Sequence, residues 1–328
     1  MDIELLRERA RIIRMVRSFF DQRQYLETDT PLLAPDLIPE SCLEVFETLR
    51  LPPKGSRKEA QSYWLIPSPE IWMKKLIAQH KQSVYQICKC FRNGESSGHF
   101  HSPEFTMLEY YTIDADYKDS LRITEELFSF LCSVSSPFSG DLSDLQPPFE
   151  KISMEDAFIK WAGFSLFDAA NTPGAMEREA KRLGLNPMPG LDVSQLYDII
   201  FIHTVEPNLP RNKPIAILDY PAFVPCLAKK SSDNLTVGRW ELYANGLELA
   251  NCFTEETRPD EVRQFFINEN AEKDKNALIR HKVDDDYWRI FKALENKAVS
   301  GVALGLDRLI MLLTGRATID GILPFAMD

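Results

Sequence analysis

Three stretches of this 328-residue chain carry side chains able to hold a nucleotide without a glycine-rich loop. The first runs from Cys90 to Tyr111 and reads as two strands around a polar loop. Alternation along the second strand puts Phe105, Met107, Glu109 and Tyr111 on one face, with Arg92 ending the strand before it. A flat ring stacks a purine, and a guanidinium grips phosphate through two parallel hydrogen bonds. An ordinary amphipathic hairpin with a charged edge has the same pattern.

The second stretch runs from Arg239 to Phe253, with Asn245-Gly246 as a two-residue turn. That turn sets Tyr243 opposite Glu248 and leaves Glu241 diagonal to Glu248, within roughly 7–8 Å. Two carboxylates so placed repel unless a cation joins them. Mg²⁺ held by one or two carboxylates plus substrate phosphates fits; two exposed edge glutamates would need no cation. Glu255 is out of step with Glu248 and joins the same pocket only through a bend or bulge.

The third stretch, Gly301 to Leu313, is a small-residue strand running into a helix. Small residues let a ligand approach the backbone. Arg308 falls in the first helical turn, where phosphate is already favoured. The alternative is a buried strand–helix unit with Asp307 and Arg308 in structural pairs. Neither GxxxxGK(S/T) nor GxGxxG occurs, so side chains would have to hold the phosphates. The six cysteines form no CxxC, and His99 and His101 have no nearby thiol or carboxylate set to complete a zinc site.

The elements that must position these groups read as follows. Residues 3–22 form an amphipathic helix with Ile3, Leu6, Ala10, Ile13, Val16 and Phe20 inward, and Arg7, Arg9, Arg11, Arg14 and Arg17 mostly on solvated faces. Residues 25–31 are extended and end at Pro31, and the basic stretch 50–62 is a loop. A helix follows Ser68-Pro69-Glu70, with Ser68 as its cap and Pro69 at its first position. Strands are expected over 84–92, 104–113, 215–224, 235–253 and 299–304. Helices are expected over 118–132, 153–162, 174–184, 192–203, about 259–279, 284–297 and 306–314, with a surface excursion at Ser133–Pro148. Strands joined by hairpins, without strict βαβ alternation, predict an α+β fold: an antiparallel sheet flanked by helices.

Composition bounds the rest. Apolar residues at 44% and charged residues at 27% exclude a disordered tail, a collagen-like fibre and a coiled-coil rod. No window reaches the ~18 apolar residues of a membrane span. The start, MDIELLRERA, is charged from residue 2, so neither a membrane nor a secretory route is expected and a cytoplasmic location is. The net charge of −11 is the wrong sign for a nucleic-acid sheath, although local basic patches remain open.

In this order the segments resemble the three signature motifs of the class II aminoacyl-tRNA synthetases. Motif 1 is matched by TyrLeuGluThrAspThrPro at 25–31, motif 2 by PheArgAsn and ProGluPheThr at 91–93 and 103–106, and motif 3 by GlyLeuAspArg at 305–308. The likeness spans nearly the whole chain and is strongest to the lysine-specific branch. It implies that Arg92 and Arg308 are catalytic, with ATP also touching Asn93, Glu95, His101, Ser102, Phe105, Glu248, Leu249 and Gly305. It implies Mg²⁺ on Glu241 and Glu248. It places Ser68, Glu70, Glu109, Tyr111, Asn251, Glu255 and Ala303 around a lysine-like substrate, with Glu70 at the amine near the carboxylate and Glu109, Tyr111 and Glu255 at the distal ammonium. Departures are Gly94, which sets Glu95 three residues from Arg92, Ser102 where Asn is usual, and Cys252 where Gly is usual.

Only about twenty residues precede motif 1, so residues 1–328 are expected to form one catalytic domain with a mostly helical insertion at 113–205 and no anticodon-binding domain. Ala250 and Ala303 stand where the tRNA-charging enzymes carry Gly, and their methyls would reshape the amine pocket toward β-lysine. The resemblance therefore implies a ligase that adenylates lysine or (R)-β-lysine and transfers it to a lysine side chain of elongation factor P, as a homodimer with tRNA an unlikely partner. The alternatives are a truncated lysyl-tRNA synthetase and a non-catalytic lysine- and ATP-binding regulator.

Overall fold

A computed structural model describes residues 2–94, 98–133, 140 and 142–325. Glu95 and residues 134–139 and 141 of the excursion after Ser133 lie outside the described residues. The strands, in chain order, are β1 (Leu26–Glu27), β2 (Leu33–Ala34), β3 (Glu47–Arg50), β4 (Gln61–Leu65), β5 (Val84–Phe91), β6 (Glu104–Ile113), β7 (Glu150–Ser153), β8 (Ile215–Pro221), β9 (Thr236–Ala244), β10 (Leu247–Thr254) and β11 (Val299–Gly305).

Eight of them make one sheet in the order β1-β5-β6-β11-β10-β9-β8-β7. Its centre is antiparallel, as expected, and only the two edge pairs, β1 with β5 and β7 with β8, are parallel. The fold is α+β. One face of the sheet buries Leu108, Tyr110, Trp240, Leu242, Cys252, Val302 and Leu304 against the Ile3–Gln22, Tyr117–Ser133 and Leu306–Leu313 helices. The other face carries the polar alternates of the same strands, which follows from the two-residue period. Among the described residues no helix is long and apolar enough to cross a membrane.

Three local expectations are corrected. Residues 50–62 are not all loop: β3 and β4 pair across this stretch and, with β2, form a second, three-stranded sheet. The Glu70–His80 helix starts one residue later than expected, with Pro69 as its N-cap and the Ser68 hydroxyl accepting from the Glu70 amide at 3.4 Å. The N-terminal helix is rotated from the expected face. Asp2 caps it, and Leu5, Ile12, Val16, Phe19 and Phe20 are buried while Ile3 is exposed. Apolar residues occur on both candidate faces, so periodicity alone does not choose between them. The chosen face contains Arg9, one turn after Leu5, and so turns a basic residue inward.

The stretch 113–205 is largely helical, in short pieces from Met154 to Val205, but it also supplies β7 to the sheet edge. The segment at 284–297 forms a 3₁₀ helix, Tyr287–Leu294.

Candidate active site

Strand parity places the first group of side chains. On β6, Phe105, Met107, Glu109 and Tyr111 point to one face while Leu108 and Tyr110 enter the core. The Arg92 guanidinium lies 5.3 Å from the centre of the Phe105 ring. β11 pairs with β6 and presents Gly301, Ala303 and Gly305 on the same face. Gly301 has no room for a side chain: a Cβ there would sit 2.5 Å from both a Glu255 carboxylate oxygen and the Tyr111 ring.

The β9–β10 hairpin turns at Asn245-Gly246, with Leu247 opposite Ala244 and Glu248 opposite Tyr243, as the turn chemistry predicts. Beyond that pair the register slips. Leu249 has no partner, and Ala250 pairs with Leu242. Leu249 and Ala250 therefore both face the core, and every later side chain changes face. Asn251, Phe253 and Glu255 thereby join Glu248 on the ligand side. Ala250 is buried with the core and borders the larger cavity, and of the pair only Ala303 lines the smaller one, which corrects the expectation for the pair.

Two adjoining cavities result. The larger, about 450 Å³, is lined by Arg92, His101, Ser102, Phe105, Glu248, Leu249, Gly305 and Arg308 among others. The smaller, about 100 Å³, is lined by Ser68, Glu70, Glu109, Tyr111 and Glu255. Arg92, Met107, Asn251 and Ala303 line both, so the guanidinium stands where the two meet. Glu241 lines neither. Arg239 and the Tyr243 hydroxyl, the latter at 2.8 Å, bind its carboxylate beside the larger cavity. Asn93 also lines neither: its amide nitrogen donates to the Val45 carbonyl, and its backbone N–H to Glu44 O.

The larger cavity is held together by its own charges. Arg308 donates to the carbonyls of Phe100 at 3.2 Å and Glu248 at 2.8 Å, and its third nitrogen is 2.7 Å from His101 Nε2. Next to it, Asp307 accepts from the Thr106 amide at 2.5 Å and from Arg9 at 3.1 Å. Arg9 is thus no solvated helix charge; it ties the N-terminal helix to β6 through Thr106 and to the Leu306–Leu313 helix through Asp307. Burial, then the neighbouring Glu241 charge, pushes the Glu248 carboxyl up to about 7.

The smaller cavity contains a residue the sequence reading missed. Lys74, 1% exposed, pairs with Glu70 at 2.5 Å and with Glu255 at 2.6 Å. Burial opposes its charge, but Glu255 and Glu70 more than offset that and raise its pKa. Glu109 accepts from the Tyr111 hydroxyl at 2.7 Å through one oxygen. Its carboxyl is pushed well above the usual range by burial and by Glu70.

Residues 3–328 match the family described as tRNA synthetases class II (D, K and N). The chain is 35% identical over 327 residues to the elongation factor P–(R)-β-lysine ligase of Avibacterium paragallinarum, covering 99% of this chain and 96% of that one. It is 34% identical over 329 residues to the ligase of the same name from Histophilus somni strain 2336, covering 99% and 96%. A third such ligase, from Pectobacterium atrosepticum, is 34% identical over 329 residues, covering 98% and 95%.

Proposed function

The chain belongs to the class II tRNA synthetases, and from that premise we propose that it is an ATP-dependent ligase that activates lysine or (R)-β-lysine and joins it to a lysine side chain of elongation factor P. The observation that carries this reading is the meeting of a phosphate-suited cavity with a small carboxylate-lined one at Arg92. The larger has a ring to stack a purine and two arginines for a triphosphate. The smaller has carboxylates for a diamine.

In the first step the substrate carboxylate attacks the α-phosphorus of ATP. A carboxyl–phosphorus bond forms, the α–β phosphoanhydride breaks, and pyrophosphate leaves. Arg92 at the junction and Arg308 at the helix start stabilise the negative charge that develops there. In the second step a neutral lysine amine of the acceptor attacks the acyl carbon. The amide forms, AMP leaves, and the amine gives up a proton.

Glu241 and Glu248 fit a hard divalent cation. They are neighbouring carboxylates, and the Glu248 carboxyl is pushed up to about 7 by burial and by Glu241's charge. No cluster of three or more metal-binding side chains occurs among the described residues, so a cation here would take its other ligands from the triphosphate and water. Mg²⁺ bound there would supply positive charge to the phosphates. Arg239 and Tyr243 fix the Glu241 carboxylate for that task.

A protein acceptor agrees with the relatives' names and with the net charge of −11, which disfavours RNA. Exposed Leu26, Leu32 and Leu33 beside the motif 1 stretch support a self-complementary homodimer face. The test of the function is mass spectrometry of elongation factor P after incubation with this protein, ATP and either lysine isomer. One added lysyl mass on a single acceptor lysine is expected. Label that reaches tRNA and not the factor would replace this reading with a synthetase.

A further inference from the structure

We propose that Arg9 is a positioning residue for the nucleotide: from the N-terminal helix it fixes the spacing between Phe105 and Arg308, two side chains on the wall of the larger cavity. The inference rests on the ligase reading above and deepens it, because it assigns control of ATP binding to a residue that does not itself line the cavity. Thr106 directly follows Phe105, and Asp307 directly precedes Arg308. Those two neighbours are bonded: the Thr106 amide donates to one Asp307 oxygen at 2.5 Å. A single bond therefore holds β6 against the start of the last helix, 201 residues further along the chain.

Arg9 closes that contact into a ring. One terminal nitrogen of its guanidinium donates to the Thr106 hydroxyl at 2.9 Å and to the other Asp307 oxygen at 3.1 Å. Each of the three residues thus touches the other two, although they come from three separate elements. The Asp307 side chain is 5% exposed, and Arg9 is paired with it. A carboxylate so buried is costly to leave without its cation. Loss of Arg9 would draw Asp307 toward water, and with it the first turn of the Leu306–Leu313 helix that carries Arg308.

Two observations separate this role from general packing. The N-terminal helix is seated by Leu5, Ile12, Val16, Phe19 and Phe20, all buried in the main core, so its attachment to the sheet does not depend on Arg9. The ring also belongs to one cavity alone. Phe105, Thr106, Asp307 and Arg308 all line the larger cavity, and none of the four lines the smaller. A disturbance of the ring therefore reaches the nucleotide and spares the amino acid. A shift of about 1 Å at a binding group is enough to cost up to about a hundredfold in rate.

The test measures ATP–pyrophosphate exchange dependent on lysine or (R)-β-lysine, equilibrium ATP binding and thermal unfolding for wild type, Arg9→Met, Arg9→Lys and Leu5→Ala. Arg9→Met should lower kcat/KM for ATP by at least about tenfold and leave the KM for the amino acid within about twofold of wild type. Arg9→Lys returns a cation to Asp307 and should recover most of that loss. Leu5→Ala removes a core contact from the same helix without touching the ring; it should lower the melting temperature and leave the KM for ATP within about twofold. Arg9→Gln keeps a donor and serves if the methionine variant does not fold. ATP binding and exchange at wild-type levels in the Arg9 variants would overturn the proposal, as would an equal loss of ATP kinetics in Leu5→Ala at a matched fall in melting temperature. A wild-type protein that binds ATP but shows no exchange with either lysine isomer would instead remove the ligase reading.

Discussion

Arg308 donates to the backbone carbonyl of Glu248 at 2.8 Å, so the charge that opens the last helix is fixed to the main chain of the glutamate that follows the hairpin turn. The bond makes two distant segments one surface: 60 residues separate them. Removing Arg308 would take away both the charge proposed to bind phosphate and this tether. Arg308→Ala should lower lysine-dependent ATP–pyrophosphate exchange by about 10²–10³, the usual effect of deleting one preorganised charge contact. Exchange at the wild-type rate would show that Arg308 does not touch the reacting phosphates.

Gly301→Ala tests the amine pocket from its floor. The added methyl would come within 2.5 Å of a Glu255 oxygen and of the Tyr111 ring. Overpacking of this kind costs about 1–3 kcal/mol. The KM for the amino acid should rise while the KM for ATP stays near wild type, measured by exchange kinetics. Equal changes in both would mean that the damage spreads across the sheet.

Lys74→Met should be among the most destabilising substitutions in the chain. It leaves Glu70 and Glu255 facing each other without the ammonium between them, and breaking a buried ion pair from one side costs about 3–5 kcal/mol. Denaturant unfolding measures the loss. A variant as stable as wild type would show that the pocket is wet enough to solvate both carboxylates.

Much of this site was legible because strands alternate. Phe105, Met107, Glu109 and Tyr111 share a face on period alone, and Asn245-Gly246 set the hairpin register without tertiary information. Lys74 was not legible. A Lys four residues after a Glu on a helix reads as a solvated surface pair, and only the packing of that helix against the sheet buries it. Arg9 was missed for a related reason, since two apolar faces competed on its helix. Glu40, which also lines the smaller cavity, lies outside any periodic element, so nothing in its spacing marks it. Glu255 was correctly seen as out of step with Glu248, but the residue that corrects the step could not be located from the pattern.

That residue is Leu249, and it acts as a phase shift within one strand. The hairpin side of the shift carries Glu248, which lines the larger cavity; the far side carries Glu255, which lines the smaller. Without the extra position, Asn251 and Glu255 would turn into the core and Cys252 would turn toward the ligand. The two halves of the site are therefore locked in length. A substitution along β10 leaves that phase intact, but a single-residue deletion between Leu249 and Glu255 would turn the side chains of the smaller cavity out of step with those of the larger.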